Sequence, residues 1–245
     1  MKESVIKILQ YILGYERYLK LFSVIKIKTL VLDSRKSDFL FFEKLLSQNA
    51  TILVIGACTG ITTIPLAKGK VNRKVFAYEP VSSNFQVLNQ VVNYFKLKNV
   101  FTFNLGLGSE PGQREFILPV VNGVKKHGMA HVKDPAILEY NEGLSEVIAI
   151  DTLDRREEIN GLAIEGIKIV AENFEYQIFE GAKRVIENNR PIIYCELWNN
   201  DRRNLVLDLI KKYNYGIYYR EGNILVHYSQ DKYKGKNLFF KPADA

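Results

Sequence analysis

Apolar residues recur along this chain in two alternating patterns. Short apolar runs, typical of strands buried on both faces of a sheet, alternate with segments whose apolar residues lie three or four positions apart, as in helices. The predicted strands are Thr51–Ile55, Lys74–Glu79, Val100–Leu105, Gly166–Val170 and Pro191–Leu197. The predicted helices are about Ile61 to Ala67, Ser83–Phe95, Phe174–Asn188 and Arg202–Tyr213. This alternation predicts an α/β fold with right-handed crossovers between parallel strands.

The last two predicted strands are antiparallel. Gly216–Tyr219 and Ile224–Tyr228 are separated by Arg220-Glu221-Gly222-Asn223, a reverse-turn sequence. Two strands joined by so short a turn form a hairpin. We therefore expect a mostly parallel sheet, covered by helices on both faces, that ends in an antiparallel hairpin.

Other segments lie outside the alternation. Val5–Leu13 has apolar residues at helical spacing and predicts an amphipathic helix, packed on the domain edge or in peripheral contact with a membrane. Ser37–Leu46 predicts a second helix, and strands Arg114–Val120 and Glu146–Ile150 are joined by a long loop of the kind that often carries function. The expected divisions are a helical extension at 1–48, a main domain at 49–230 with an insertion at about 112–150, and a C-terminal tail at 231–245.

Composition limits the function classes. With 245 residues, 47% of them hydrophobic, the chain can bury one sizeable core. Its net charge of +7 favours acidic partners, but no block of contiguous Lys and Arg resembles a nucleic-acid arm, so we expect no nucleic acid partner. Cys58 and Cys195 form no Cys-x-x-Cys pair, which argues against a disulfide framework or a zinc site. We expect a cytoplasmic protein without a membrane span, and its oligomeric state stays open.

The first strand runs into a glycine turn, Gly56-Ala57-Cys58-Thr59-Gly60. Glycines at such a turn let the backbone approach a ligand at the N-terminus of the following helix. The second strand ends in Tyr78-Glu79-Pro80, and Glu79 lies 23 residues after Gly56. That interval is close to the roughly 20 residues expected for a carboxylate that binds a ribose. The two motifs together predict a site for a nucleoside cofactor.

Five motifs, in order, resemble the FkbM family of S-adenosylmethionine-dependent methyltransferases. They are Val54-Ile55-Gly56-Ala57-Cys58-Thr59-Gly60, Tyr78-Glu79-Pro80, Asp151-Thr152-Leu153-Asp154, Ile167-Lys168-Ile169-Val170-Ala171-Glu172 and Phe179-Glu180-Gly181-Ala182. The resemblance implies a class I methyltransferase, Rossmann-like fold with a seven-stranded sheet, and S-adenosylmethionine as cofactor. It also implies O-methylation of a glycan, a lipid-linked sugar or a small metabolite.

The resemblance also implies a set of cofactor-binding positions. They are Gly56, Ala57, Cys58, Gly60, Glu79 and Pro80, together with Val54 and Val170. The glycines would admit the cofactor's amino-acid tail and ribose, and Glu79 would accept hydrogen bonds from both ribose hydroxyls. Cys58 precedes a helix N-terminus, so it is either a thiol of lowered pKa or a small residue that fills a tight turn.

Three positions depart from the family pattern. The family has aspartates where this chain has Val54 and Val170, and usually an asparagine where it has Cys58. Losing a charge-assisted hydrogen bond costs about 1.5–3 kcal/mol, so the two valines would impair cofactor binding. They are alternatively ordinary core residues of buried strands. The first alternative function is therefore a catalytically silent binding or scaffold protein with a methyltransferase fold.

Methyl transfer to a hydroxyl requires positioning and a general base. Glu172 and Glu196, at the ends of two central strands, match acidic positions of the family and are either catalytic or structural. His127 and His131 lie in the long loop that would cover the acceptor, and His127 would act as a base, bind an acidic acceptor or be solvated. Their segment lacks the His-Glu-x-x-His glutamate, so we expect no required metal.

Two other enzyme classes fit less well. A nicotinamide-dependent oxidoreductase is disfavoured because the glycine turn lacks the Gly-x-Gly-x-x-Gly spacing and because a terminal hairpin is predicted. A nucleic-acid methyltransferase would suit the positive charge, but the chain has no Asn-Pro-Pro-Tyr motif and no recognisable RNA-binding domain. The acceptor would be selected by the loop at Val120–Ser145.

Overall fold

A computed structural model of the chain describes residues 2–135, 137 and 140–243. The strands are β1 Thr51–Ile55, β2 Lys74–Tyr78, β3 Val100–Phe103, β4 Gly106–Leu107, β5 Gly112–Val121, β6 Val124–Lys125, β7 His131–Val132, β8 Gly143–Asp151, β9 Ile164–Ile169, β10 Ile192–Glu196, β11 Tyr215–Glu221, β12 Ile224–His227 and β13 Asn237–Pro242. The α-helices are α1 Lys2–Leu13, α2 Tyr15–Lys28, α3 Ser37–Leu45, α4 Thr63–Ala67, α5 Ser82–Tyr94, α6 Glu175–Glu180, α7 Lys183–Asn189 and α8 Asp201–Lys212.

The main sheet has eight strands in the order β12-β11-β13-β10-β9-β1-β2-β3. The five strands from β10 to β3 are parallel, as the alternating pattern predicts. Their carboxyl ends therefore lie at one edge, where open α/β sheets bind their ligands. The predicted hairpin is confirmed, because β11 and β12 pair antiparallel with Tyr218 opposite His227.

The segment expected to be a C-terminal tail, 231–245, contains a buried strand instead. Strand β13 lies between β10 and β11 and is antiparallel to both. Phe239 and Phe240 within it are each 0% exposed, one on either face of the sheet. The expectation of a tail was wrong because the apolar run Leu238-Phe239-Phe240 is a central strand, and it makes the sheet eight-stranded rather than seven-stranded.

Both faces of the sheet are covered. One core includes Ile55 and Tyr78 with residues of α6, α7 and α8, and the other includes Val54 with residues of α2, α3, α4 and α5. Neighbouring strand residues point to opposite faces, so Ile55 and Val54 belong to different cores. The helix expected at 174–188 is divided into α6 and α7 at Gly181, where a Cβ would lie 1.9 Å from the carbonyl oxygen of Gly108.

The insertion forms a second, smaller sheet. Strands β5 and β8 pair antiparallel along nearly their whole length, which confirms both predicted strands, and the order is β4-β8-β5-β6 with β7 on β5. The loop between β5 and β8 contains a short 3-10 helix, His127–Met129. This loop reaches the carboxyl edge of the main sheet.

The N-terminal part contains a helix that the sequence reasoning missed. Helix α2 follows α1 after a break at Gly14, whose φ of +75° is unfavourable for other residues. Its residues Leu19, Ser23 and Ile27 lie four apart and are buried. That spacing was a usable signal of a helix with one face against the core. Helix α2 packs on α1 and on α5, and so lies next to the glycine turn.

Candidate active site

A cleft opens at the carboxyl edge of the main sheet, beneath the insertion. Seven of the predicted site residues line it: Gly56, Cys58, Glu79, Pro80, His127, Val170 and Glu172. The other four, which are Val54, Ala57, Gly60 and Glu196, are not among its lining residues. The structure therefore brings most of the predicted site together at one place, between the glycine turn and the loop of the insertion.

The glycine turn is held by the neighbouring strands. The amides of Gly56 and Ala57 both donate to the carbonyl of Tyr78, over 3.1 and 3.0 Å. Gly56 has a φ of +72°, and a Cβ on it would lie 1.9 Å from the carbonyl oxygen of Val170. Position 56 thus requires glycine because the backbone after β9 comes so close to it, whether or not a ligand is bound. Gly60, with a φ of +87°, lets the chain turn into α4.

The Glu79 carboxylate joins the turn to the second strand. It is 4% exposed and accepts hydrogen bonds from the Cys58 amide at 2.8 Å, the Val81 amide at 3.1 Å and the Asn84 Nδ2 at 3.2 Å. Burial raises the pKa of Glu79 to about 7, against the opposing effect of these donors. A carboxylate has about four acceptor positions, so one remains for a ligand.

Asn84 adds an acceptor that sequence reasoning missed. Its side-chain Oδ1 is buried without a hydrogen-bond partner, although its Nδ2 donates to Glu79 and to the carbonyl of His127. A buried acceptor without a donor is costly, and a hydroxyl entering the cleft would satisfy it. Glu79 and Asn84 together therefore fit the adjacent hydroxyls of a ribose, which is what S-adenosylmethionine would present.

Cys58 is not a reactive thiolate. Burial and the neighbouring Glu79 raise its pKa to about 12. The alternative of a lowered pKa was wrong, because the helix N-terminus does not compensate for this desolvation. The residue has a φ of 50°, in the left-handed region that asparagine adopts more readily than most residues. Its Sγ lies 3.8 Å from the carbonyl oxygen of His127 and helps to hold the loop above the cleft.

Both loop histidines are packed rather than solvated. The His127 ring lies edge-on to Phe22 of α2, with 5.4 Å between ring centroids, and burial lowers its pKa to about 4. His131 is 1% exposed, with Nδ1 2.8 Å from the carbonyl oxygen of Met129. The alternative of a solvated histidine was wrong because the loop folds between the small sheet and α2. An imidazole with so low a pKa is a weak base near neutral pH.

Glu172 is the centre of a cluster of carboxylates next to the cleft. Glu172 lines it and accepts a hydrogen bond from Trp198 Nε1 over 3.1 Å. Burial, with repulsion from Glu196 and Glu175, raises the pKa of Glu172 to about 7. Glu175, which the sequence reasoning missed, is 3% exposed and accepts from the Ala171 amide at 2.9 Å. Its position three residues after Glu172 was the available signal.

The two valines expected at cofactor-binding positions, Val54 and Val170, lie in different environments. Val170 lines the cleft, whereas Val54 is 0% exposed in the core formed with α2 to α5. Lys168 is paired with Val54 in the register of β1 and β9. Lys168 is 4% exposed, and its Nζ donates to the carbonyl of Gly56 over 3.0 Å. Val54 thus places no carboxylate beside this buried ammonium, whose pKa burial lowers to about 8.

Metal-binding clusters and membrane-spanning helices are both absent from the described residues. Within 2–135, 137 and 140–243, no group of three or more His, Cys, Asp and Glu side chains is arranged to hold a metal ion. None of the helices in the same ranges is both long and apolar enough to cross a bilayer.

Substituting Gly56 tests the packing of the turn. Gly56→Ala is expected to lower the free energy of unfolding by roughly 3 kcal/mol or more, because a strained φ adds to a clash with Val170. Gly161 is a matched control, since it has the same φ of +72° and a Cβ added there would have no other atom within 4 Å. Gly161→Ala should cost only about 1–2 kcal/mol in urea unfolding. Equal losses of unfolding free energy in the two variants would contradict the close approach of Val170 to Gly56.

Comparison with known proteins agrees with this geometry. The Methyltransferase FkbM domain model matches residues 55–217. A methyltransferase FkbM structure from Methylobacillus flagellatus KT is 16% identical with a TM-score of 0.53, over 80% of this chain and 44% of that one. An S-adenosylmethionine-dependent O-methyltransferase from Thermotoga maritima is 9% identical with a TM-score of 0.50, over 86% of this chain and 66% of that one.

A putative rRNA methylase from Clostridium thermocellum has 9% identity and a TM-score of 0.50, over 87% of this chain and 98% of that one. Identities this low show the fold alone, and they confirm the class I methyltransferase, Rossmann-like fold. This chain spans less than half the length of the Methylobacillus protein. No curated protein sequence matches it. Since the family model covers more than half of its residues, the chain belongs to the FkbM family of methyltransferases, and S-adenosylmethionine is the cofactor that this membership implies.

Proposed function

We propose that this chain transfers the methyl group of S-adenosylmethionine to a hydroxyl of a glycan, a lipid-linked sugar or a small metabolite. The proposal rests on the positions of Glu79 and Glu172, which line the same cleft. One carboxylate, beside the unpartnered Asn84 Oδ1, is suited to ribose hydroxyls. The other has a pKa raised to about 7 and is suited to accept a proton from an acceptor hydroxyl.

The cofactor supplies an electrophilic methyl group on a sulfonium sulfur. In this proposal Glu79 and Asn84 would hold the ribose hydroxyls, and the backbone from Val170 to Glu172, which lines the same cleft, would bound the rest of the cofactor. Glu172 takes the proton of the acceptor hydroxyl as the oxygen attacks. Trp198 fixes one Glu172 oxygen through its indole N–H, which orients the carboxylate and leaves the other oxygen for the acceptor. His127 contributes its carbonyl to closing the cleft.

Glu79→Gln and Glu172→Gln separate cofactor binding from chemistry. Glu79→Gln removes the anionic acceptor and should weaken S-adenosylmethionine binding roughly ten- to a hundredfold in a calorimetric titration. Glu172→Gln should bind the cofactor nearly as the parent does but lose about 10²–10⁴-fold in kcat, measured with a panel of sugar and metabolite acceptors.

The pH dependence gives the two variants a second readout. Ribose hydroxyls favour the ionised form of Glu79, whose pKa is raised to about 7, so parent affinity should rise as pH increases through 7. Glu79→Gln should abolish that rise, and Glu172→Gln should retain it. Equal cofactor affinity in the parent and Glu79→Gln, at every pH, would contradict the assigned role of Glu79.

A second candidate is a catalytically silent binding or scaffold protein with the same fold. It is favoured by Val170, since an apolar side chain lines the cleft where the family has an aspartate. In this view cofactor affinity is impaired, because the ammonium of the cofactor lacks an anion to orient it. The methyltransferase is favoured over the silent protein because the chain keeps three expected cofactor-binding residues, Glu79, Gly56 and Gly60.

Restoring the aspartates tests this impairment. Val170→Asp should tighten S-adenosylmethionine binding about ten- to a hundredfold, whereas Val54→Asp should change it less, because Val54 does not line the cleft. The double variant Val54→Asp/Val170→Asp completes the set, with circular dichroism to verify folding. Equally tight binding by the parent and the double variant would refute the idea that the valines impair the site.

A further inference from the structure

Helices α1 and α2 each expose a row of apolar side chains. Val5, Ile8, Leu9 and Ile12 have the spacing of a single helix face, and each is at least 38% exposed. A neighbouring face of α1, which carries Ile6 and Leu13, packs against the core. Helix α1 therefore has one apolar face that is covered and a second that faces outward.

The exposed apolar surface continues after α1. On α2, Leu21 and Ile25 are each 51% exposed and lie one helical turn apart. Val31 and Leu32, in the 3-10 turn that follows, are 75% and 82% exposed. Scattered apolar residues on a surface need no explanation, but a repeated outward face over three successive elements indicates a contact surface.

Positive charge is concentrated in the same segment. Residues 2–32 contain six Lys and Arg against two Asp and Glu, a net charge of +4 out of +7 for the whole chain. Arg17 and Lys28 are exposed in line with Leu21 and Ile25 on α2. Basic side chains beside an exposed apolar face are the pattern of helices that lie in the interface of an anionic bilayer. Such cations are attracted to the negative surface potential of an anionic bilayer.

The inner sides of these helices contact the site. Ser23 Oγ of α2 donates to Thr59 Oγ1 of the glycine turn over 2.6 Å, and Phe22 packs on His127 of the loop above the cleft. Gln10 of α1 pairs with both backbone groups of Lys125 in β6, each over 3.3 Å. The elements with the exposed apolar face therefore also hold the turn and the loop that bound the cleft.

We propose that α1, α2 and the turn at residues 30–32 form a docking surface for an anionic lipid bilayer. The charge of the segment favours a bilayer over an uncharged protein surface as the occupant. Docking would place the cleft near the membrane, which selects a lipid-linked acceptor among the possible substrates. The docking does not depend on methyl transfer, whereas the choice of acceptor rests on the proposed function.

Vesicle co-sedimentation tests the docking. The full chain is mixed with vesicles of phosphatidylcholine alone, or of phosphatidylcholine with phosphatidylglycerol, at low and at high salt. We expect binding to the phosphatidylglycerol vesicles that weakens as salt is raised, because exposed charges are screened. Ile8→Glu/Ile12→Glu should reduce the binding at least tenfold. Ile224→Glu, at a residue 62% exposed on β12, is the matched control and should bind as the parent does.

The outcomes are distinct. Thermal unfolding and S-adenosylmethionine titration of the same variants verify that fold and cleft are intact, so a failure of the proposed function would appear there and not in the sedimentation. No binding to phosphatidylglycerol vesicles, or equal binding by the parent and Ile8→Glu/Ile12→Glu, would overturn the proposal. It would also be overturned if size-exclusion chromatography showed a dimer that this double variant disrupts while lipid binding is unchanged.

Discussion

The buried carboxylate of Glu79 is the contact on which the site depends. It receives one backbone amide from the glycine turn and another from the residue that precedes α5, and so joins the first two β-α units at their carboxyl ends. A charge in this position requires such donors, because a buried anion without them would be strongly destabilising. The fourth acceptor position and the unpartnered Asn84 Oδ1 are the part of this network left for a ligand. The interaction that shapes the turn thus also leaves acceptor positions open towards the cleft, which we propose are used by ribose hydroxyls.

Lys168 supports the glycine turn from inside the protein at the same edge of the sheet. Its buried ammonium donates to the carbonyl of Gly56, and the residue paired with it on β1 is the apolar Val54. An aspartate at Val54 would therefore face a lysine in the core rather than the cleft. The two valines therefore occupy different places: Val54 lies in the core beneath the turn, and Val170 is part of the cleft wall.

Periodicity predicted the parallel strands and the terminal hairpin, because burial on both faces leaves an unambiguous apolar run. It missed β13, since an apolar run near the end of the chain was assigned to a tail, although Phe239 and Phe240 carry the same signal as Thr51–Ile55. The site motifs predicted seven cleft residues. Motifs did not predict the burial of His127, because it depends on the approach of Phe22 on α2, which is distant in sequence. They also missed Asn84, although it lies only five residues after Glu79, because no motif marks that position on α5.

We propose that the carboxylate that holds the glycine turn also binds the ribose of the cofactor. A crystal structure of the chain with S-adenosylhomocysteine tests this role. We predict that the two ribose hydroxyls lie within hydrogen-bond distance of the Glu79 carboxylate and of Asn84 Oδ1, with the glycine turn unchanged. A ribose bound elsewhere in the cleft, with Glu79 still contacting only Cys58, Val81 and Asn84, would contradict it.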